Sequence, residues 1–161
     1  MLTAPKIGGP RVLGVARRNY ALVASQYNPQ FVQGLVDNTA KELMRLSPGS
    51  RLVLHQVPGA FEIPLVVQEV ATKAGADIHA IIAVGVILQG ETDHAEHIAR
   101  AVTDALQQIA LATRIPIINE VLSCKDAKQA EIRCLDPELN RGIEGARSAV
   151  SISNLIAQLR E

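Results

Sequence analysis

The 161 residues fit one domain, and 48% hydrophobic residues are enough to fill a sizeable core, which sets aside a disordered or fibrous chain. Lys plus Arg balance Asp plus Glu at 16 each, so no basic stripe stands ready to neutralise a phosphate backbone and nucleic acid is not an expected partner. No apolar run reaches the roughly 18 to 20 residues of a membrane span. Cys124 and Cys134 form no CxxC pair and the N-terminus carries no long apolar stretch, so a soluble protein in a reducing cytoplasm is the expected setting.

In chain order, residues 1–10 carry Pro and Gly without periodicity and read as a flexible arm, and Val12 to Ala16 read as a short N-terminal edge strand. Tyr20 to Ser25 is the first buried strand. Asn28-Pro29 opens a helix to about Leu46, with Asn28 as N-cap and Pro29 at the first helical position. After the turn Ser47-Pro48-Gly49-Ser50 come a strand, Arg51 to Val57, and a helix, Phe61 to Ala74. Ala80 to Leu88, the most apolar run, has the length of a strand buried on both faces. Thr92 to Thr113 reads as a long helix, Ile115 to Leu122 as a fourth strand, Ala127 to Leu135 as a short helix and Glu138 to Leu159 as a final one, with Asp136-Pro137 breaking the helical run.

Alternating strands and helices with short connections predict a single α/β domain over 1–161, a three-layer αβα sandwich around a four-stranded parallel sheet. The amphipathic helices are rich in Ala, Leu, Ile and Val with few charges between them, which favours a homo-oligomer.

Two segments leave strands and enter helices, the place where open α/β sheets bind ligands: Val57-Pro58-Gly59-Ala60-Phe61-Glu62-Ile63-Pro64 and Gly85-Val86-Ile87-Leu88-Gln89-Gly90-Glu91-Thr92-Asp93-His94. Gly90 allows close backbone approach, and the N–H groups of the next helical turn favour an anion such as phosphate; Thr92 reads equally as a plain N-cap. His94, in that first turn, suits proton transfer near neutrality, or is a solvent-facing helix histidine. His97 three residues on makes an HxxH pair, but no third metal ligand is evident.

Glu62 either accepts from a sugar or polyol hydroxyl or complements a helix dipole, while the amides around Ala60 and Phe61 address the same ligand. The chain has two Tyr, two Phe and no Trp, so Tyr27, after the first strand, stands out as a surface on which a flat heterocycle stacks. Arg133 is placed to hold a phosphate bidentately, or is a surface cation near a helix C-terminus.

Together these segments resemble the 6,7-dimethyl-8-ribityllumazine synthase family of riboflavin biosynthesis, from about Tyr20 to Leu159. The family's Pro-Gly-Ala-Phe-Glu-Ile-Pro is intact at Pro58 to Pro64, and its Gly-Glu-Thr-x-His matches Gly90 to His94. Its Gln-Ala-x-x-Arg followed by Asn-Lys-Gly matches Gln129 to Arg133 and Asn140-Arg141-Gly142. Where the family usually reads Ser-Arg-Phe-Asn, this chain has Ser25-Gln26-Tyr27-Asn28.

The resemblance implies a flavodoxin-like fold and a transferase that condenses 5-amino-6-(ribitylamino)uracil with 3,4-dihydroxy-2-butanone 4-phosphate, releasing phosphate and water, with no cofactor or metal. It implies that Tyr27 stacks on the pyrimidine, that Ala60, Phe61 and Glu62 hold the ribityl chain, and that the backbone of Ile87 and Leu88 addresses the ring edges. Gly90, Glu91 and Thr92 would cradle the phosphate with Arg133, and His94 would shuttle protons. It further implies a pentamer or a multiple of pentamers, with Asn119 to Leu122 and Arg133 supplied by the adjacent chain.

Several positions depart from the family pattern. Gln89 replaces a common Arg, and Asp93 adds a negative charge beside the phosphate segment. Asn119-Glu120 replace Phe-Gly, which takes an aromatic out of the wall facing Tyr27 and is expected to insert a carboxylate there. Leu135 to Asn140 has the length found in icosahedral shells, with Asp-Pro in place of the usual glycine and lysine. Two other readings compete: a lumazine- or flavin-binding or shell-forming relative of low activity, and an unrelated flavodoxin-like nucleotide-binding domain.

Overall fold

A computed structural model describes residues 17–161, so the predicted arm and the edge strand at Val12 to Ala16 lie outside the described residues. The elements are β1 (Asn19–Ser25), α1 (Pro29–Leu46), β2 (Arg51–Val57), α2 (Ile63–Ala74), β3 (Ala80–Leu88), α3 (His94–Thr113), β4 (Ile117–Cys124), α4 (Ala127–Leu135) and α5 (Arg141–Leu159). The strands form one parallel sheet in the order β2-β1-β3-β4. The parallel sheet covered on both faces is what the alternation of elements predicts, and its strand order is the flavodoxin-like one that the resemblance implies.

Side chains alternate across a strand, and here the alternation divides the interior in two. Tyr20, Leu22 and Ala24 of β1 and Ile82, Val84 and Val86 of β3 pack with Leu35, Cys134, Ala146 and Val150, under α1, α4 and α5. Ala21 and Val23 of β1 and Ile81 and Ala83 of β3 pack with Ile63, Val67, Val102 and Leu106, under α2 and α3. A central strand covered on both faces must be apolar throughout, which is why β3 reads AIIAVGVIL.

Four boundaries differ from the sequence expectation. Pro64 carries no N–H for a helix interior, so Ala60–Glu62 makes a 3-10 turn and α2 begins at Ile63. The helix predicted from Thr92 begins at His94, with Asp93 at the N-cap. β4 lies two residues later than expected, because its pairing runs from Ile81 with Ile117 to Leu88 with Cys124 and so follows the full end of β3.

The last helix starts at Arg141 rather than Glu138. Asp136 Oδ1 accepts from the Glu138 and Leu139 N–H groups at 2.9 and 2.8 Å, holding them in a turn instead of a helix. Those bonds keep the Asp136 carboxyl below the usual carboxylate range. Asn140 then caps α5, its Oδ1 accepting from the Ile143 N–H at 3.0 Å.

Candidate active site

Strand order reverses between β1 and β3, because α1 crosses one face of the sheet and α2 returns across the other. Chains leaving the two strands diverge there and open a crevice at their carboxyl ends. Asn28 adopts a left-handed conformation, φ 55°, and donates from Nδ2 to the Val86 carbonyl at 2.8 Å, tying the exit of β1 to the end of β3. The Gln26 N–H donates to the Pro58 carbonyl at 3.2 Å and ties the same exit to β2. Sequence pattern marked Asn28 as a helix cap, but its side chain makes no capping bond and acts as a brace across the crevice.

Tyr27 stands at this crevice with 70% of its surface exposed and its ring against the Gly59 backbone. Gly59 in turn donates its N–H to Glu62 Oε2 at 3.1 Å. One oxygen of Glu62 is therefore committed to the chain's own turn. Phe61, 66% exposed, lies in the same 3-10 turn with Ala60 half-buried before it. These residues all lie just beyond the carboxyl ends of β1 and β2.

The β3 side is more open. Ile87 is buried at the end of the strand, Leu88 is half-buried, and the Gln89 N–H still donates to the Cys124 carbonyl at 2.9 Å. Gly90 to His94 are all exposed. Thr92 Oγ1 accepts only a long 3.4 Å bond from the His94 N–H, and Asp93 makes no side-chain capping bond, so the first amides of α3 are weakly capped. His94 is the first residue of α3 and adjoins those amides. His97 is exposed one turn on, and among the described residues no group of three His, Cys, Asp or Glu side chains is arranged to hold a metal ion.

Asn119 and Arg133 do not join this cluster. Asn119 lies on β4, where its Oδ1 accepts from the Val121 N–H at 3.0 Å and its Nδ2 reaches Thr103 Oγ1 on α3 at 3.4 Å. Arg133 is exposed on α4, and among the described residues no hydrogen bond or ion pair links it to the Gly90 segment. Glu120 corrects the expectation of a carboxylate in the wall facing Tyr27: successive strand residues point to opposite faces, so Glu120 turns away from Asn119 and is buried against α5.

A cleft of about 350 Å³ opens at the other end of the sheet, lined by Asn19, Arg51, His55, Lys73 and Asp77 among others. None of the candidate residues borders it.

The family model described as 6,7-dimethyl-8-ribityllumazine synthase matches residues 17–157. The chain is 38% identical over 141 residues to a 6,7-dimethyl-8-ribityllumazine synthase of Halorhodospira halophila, covering 87% of this chain and 89% of the relative. Proteins of the same name from Chlorobium phaeobacteroides and Chlorobium limicola are 36% and 35% identical over 140 residues, each covering 86% of this chain and 89% of the relative.

Proposed function

The chain belongs to the 6,7-dimethyl-8-ribityllumazine synthase family, and from that premise we propose that the crevice between β1 and β3 is where its reaction takes place. The enzyme is a transferase of riboflavin biosynthesis. It condenses 5-amino-6-(ribitylamino)uracil with 3,4-dihydroxy-2-butanone 4-phosphate to the lumazine, releasing phosphate and water.

The observation that carries the reading is the convergence of Tyr27, Phe61, Glu62 and Gly90 to His94 on the carboxyl ends of β1, β2 and β3. Tyr27 offers an exposed ring for the pyrimidine. Ala60, Phe61 and Glu62 receive the ribityl chain, Glu62 through the oxygen not committed to Gly59, and the end of β3 at Ile87 and Leu88 meets the ring edges. Gly90, Glu91 and Thr92, ahead of the weakly capped amides of α3, take the phosphate. His94 moves protons between the condensing amine, the carbonyl and water. Both substrates carry their own reactive groups, so the protein contributes chiefly by holding them in contact.

The second wall comes from a neighbouring copy in a pentamer or a multiple of pentamers, which brings Asn119 and Arg133 to the open side. In support, neither residue reaches the cluster within one chain, while Leu65, Leu111, Leu139 and Leu159 are 65%, 71%, 61% and 72% exposed. Such side chains on α2 and α3 and on or just before α5 give a neighbouring copy apolar surface to cover. A cytoplasmic location suits two cysteines that are free and buried, and no helix among the described residues is long and apolar enough to cross a membrane.

The test is lumazine formation from the two substrates, compared with a protein-free blank and with Arg133→Ala. Acceleration over the blank that the variant loses is expected. A variant as fast as the parent would remove Arg133 from the site.

A further inference from the structure

Glu120 is a carboxylate sealed in the seam between β4 and α5, 3% exposed, and it takes no part in the site described above. Gly145 of α5 gives it room, since a Cβ there would lie 2.8 Å from Glu120 Cγ. Arg141 Nε stands 3.6 Å from Glu120 Oε2, outside hydrogen-bond range, and neither buried atom has a hydrogen-bond partner among the described residues. Arg141 instead gives Nη1 to Glu144 Oε2, closer to the surface.

The third titratable group facing Glu120 is the Cys134 thiol of α4, which burial pushes up to about 12 and so keeps neutral. Across the sheet its register partner is Val84 of β3, which is apolar. Glu120 and Arg141 stand where the family pattern has glycine and lysine, so two departures from that pattern face each other in one seam.

A carboxylate so placed is costly to ionise unless a cation pairs closely with it, and Arg141, at ion-pair distance but short of a hydrogen bond, is shared with Glu144. Burial is the main influence, pushing the Glu120 carboxyl up to about 7, while Arg141 draws it down and Glu144 pushes it up. Ionisation therefore favours closing the 3.6 Å gap between Arg141 Nε and Glu120 Oε2, a movement that can leave Nη1 on Glu144.

We propose that Glu120 is a proton-linked positioning residue: neutral, it leaves β4 seated on α5 as found, and ionised, it draws Arg141 inward and shifts the strand that carries Asn119. The proposal rests on the reading of Asn119 as part of the pyrimidine wall. Asn119 and Glu120 share a peptide unit and point to opposite faces, so movement at one is transmitted to the other through the backbone.

The test is steady-state kinetics of the assembled enzyme from about pH 5.5 to 8.5, comparing the parent with Glu120→Gln, which keeps the shape of the neutral form. The parent KM for the ribitylaminouracil should change about three- to tenfold across one ionisation near neutrality, with no matching step in the KM for the butanone phosphate. Glu120→Gln should lose the step and hold the low-pH value throughout. Arg141→Met, which removes the cation, should move the step to higher pH.

A step that persists unchanged in Glu120→Gln would overturn the proposal while leaving the wall intact. An unchanged ribitylaminouracil KM in Asn119→Ala would remove the wall itself, and the proposal with it. A step present in thermal stability but missing from the parent KM would make Glu120 a titrating group that positions nothing, which also contradicts it.

Discussion

The ring of Tyr27 rests on the backbone of Gly59, so close that a Cβ at residue 59 would stand 3.2 Å from both Cδ2 and Cε2 of the ring. Glycine at 59 thus fixes how far the ring settles toward β2, and with it the plane offered to a flat substrate. Gly59→Ala should lift the ring, together with Glu62 Oε2 at 3.0 Å from the same point, and raise the KM for the ribitylaminouracil by at least about three- to tenfold, the effect of losing an aromatic stack of about 0.5 to 1.5 kcal/mol. The KM for the butanone phosphate should stay the same, and unchanged constants for both substrates would separate Tyr27 from the pyrimidine.

Arg133→Ala should raise the KM for the butanone phosphate far more than that for the pyrimidine. A charge-assisted hydrogen bond to phosphate contributes about 1.5 to 3 kcal/mol, so a change of about 10- to 100-fold is expected. Equal losses on both substrates would remove the phosphate role.

His94→Ala should slow turnover by no more than about 100-fold, the lower range for a positioned proton donor or acceptor, because the two substrates condense slowly unaided. Single-turnover rates at saturation measure this directly. Complete loss of activity in an intact assembly would mean that His94 contributes far more than proton transfer.

Two buried glutamates give stability opposite slopes with pH. On α1, Glu42 accepts from Arg45 at 2.7 and 2.9 Å and from Arg147 of α5 at 3.0 Å, and the Arg45 hydrogen bonds lead in lowering its carboxyl to about 2. Its folded value lies below the ordinary 4.5, so its contribution is full above pH 4.5 and is lost as the pH falls toward 2. Glu42→Gln should lower stability at neutral pH by about 2 kcal/mol and flatten the acid limb of a plot of melting temperature against pH.

Glu120 acts in the other direction. With a folded value of about 7 above the ordinary 4.5, the native state binds the extra proton, and stability declines as pH rises through that window and levels off beyond it. Glu120→Gln should remove this decline, and a melting temperature that falls just as steeply in the variant would assign the slope to another group.

Elements with a strong local signal were legible in the sequence. The β3 run is apolar because both faces are covered, and Asn28-Pro29 set the start of α1. Helix starts governed by competing side-chain bonds were not, since the hold of Asp136 on two N–H groups needs a loop geometry that pattern alone does not supply. The side to which Glu120 points was hidden because Asn119 and Glu120 are both polar, and only packing against Gly145 of α5 decides which of them turns inward. The placing of Tyr27, Phe61 and Glu62 beyond the ends of β1 and β2 was legible because each lies within a few residues of a strand, whereas Asn119 and Arg133 do not reach them within one chain.

The proposal of a site shared between chains is tested most directly by combining two impaired chains, Arg133→Ala and the double variant Tyr27→Ala/His94→Ala, in one assembly and measuring lumazine formation. Each variant alone should be slow, while the mixed assembly should work faster than the sum of the two, because some crevices then pair an intact Tyr27 and His94 with an intact Arg133 from the next chain. A mixed assembly no faster than its separate parts would contradict a site built from two chains.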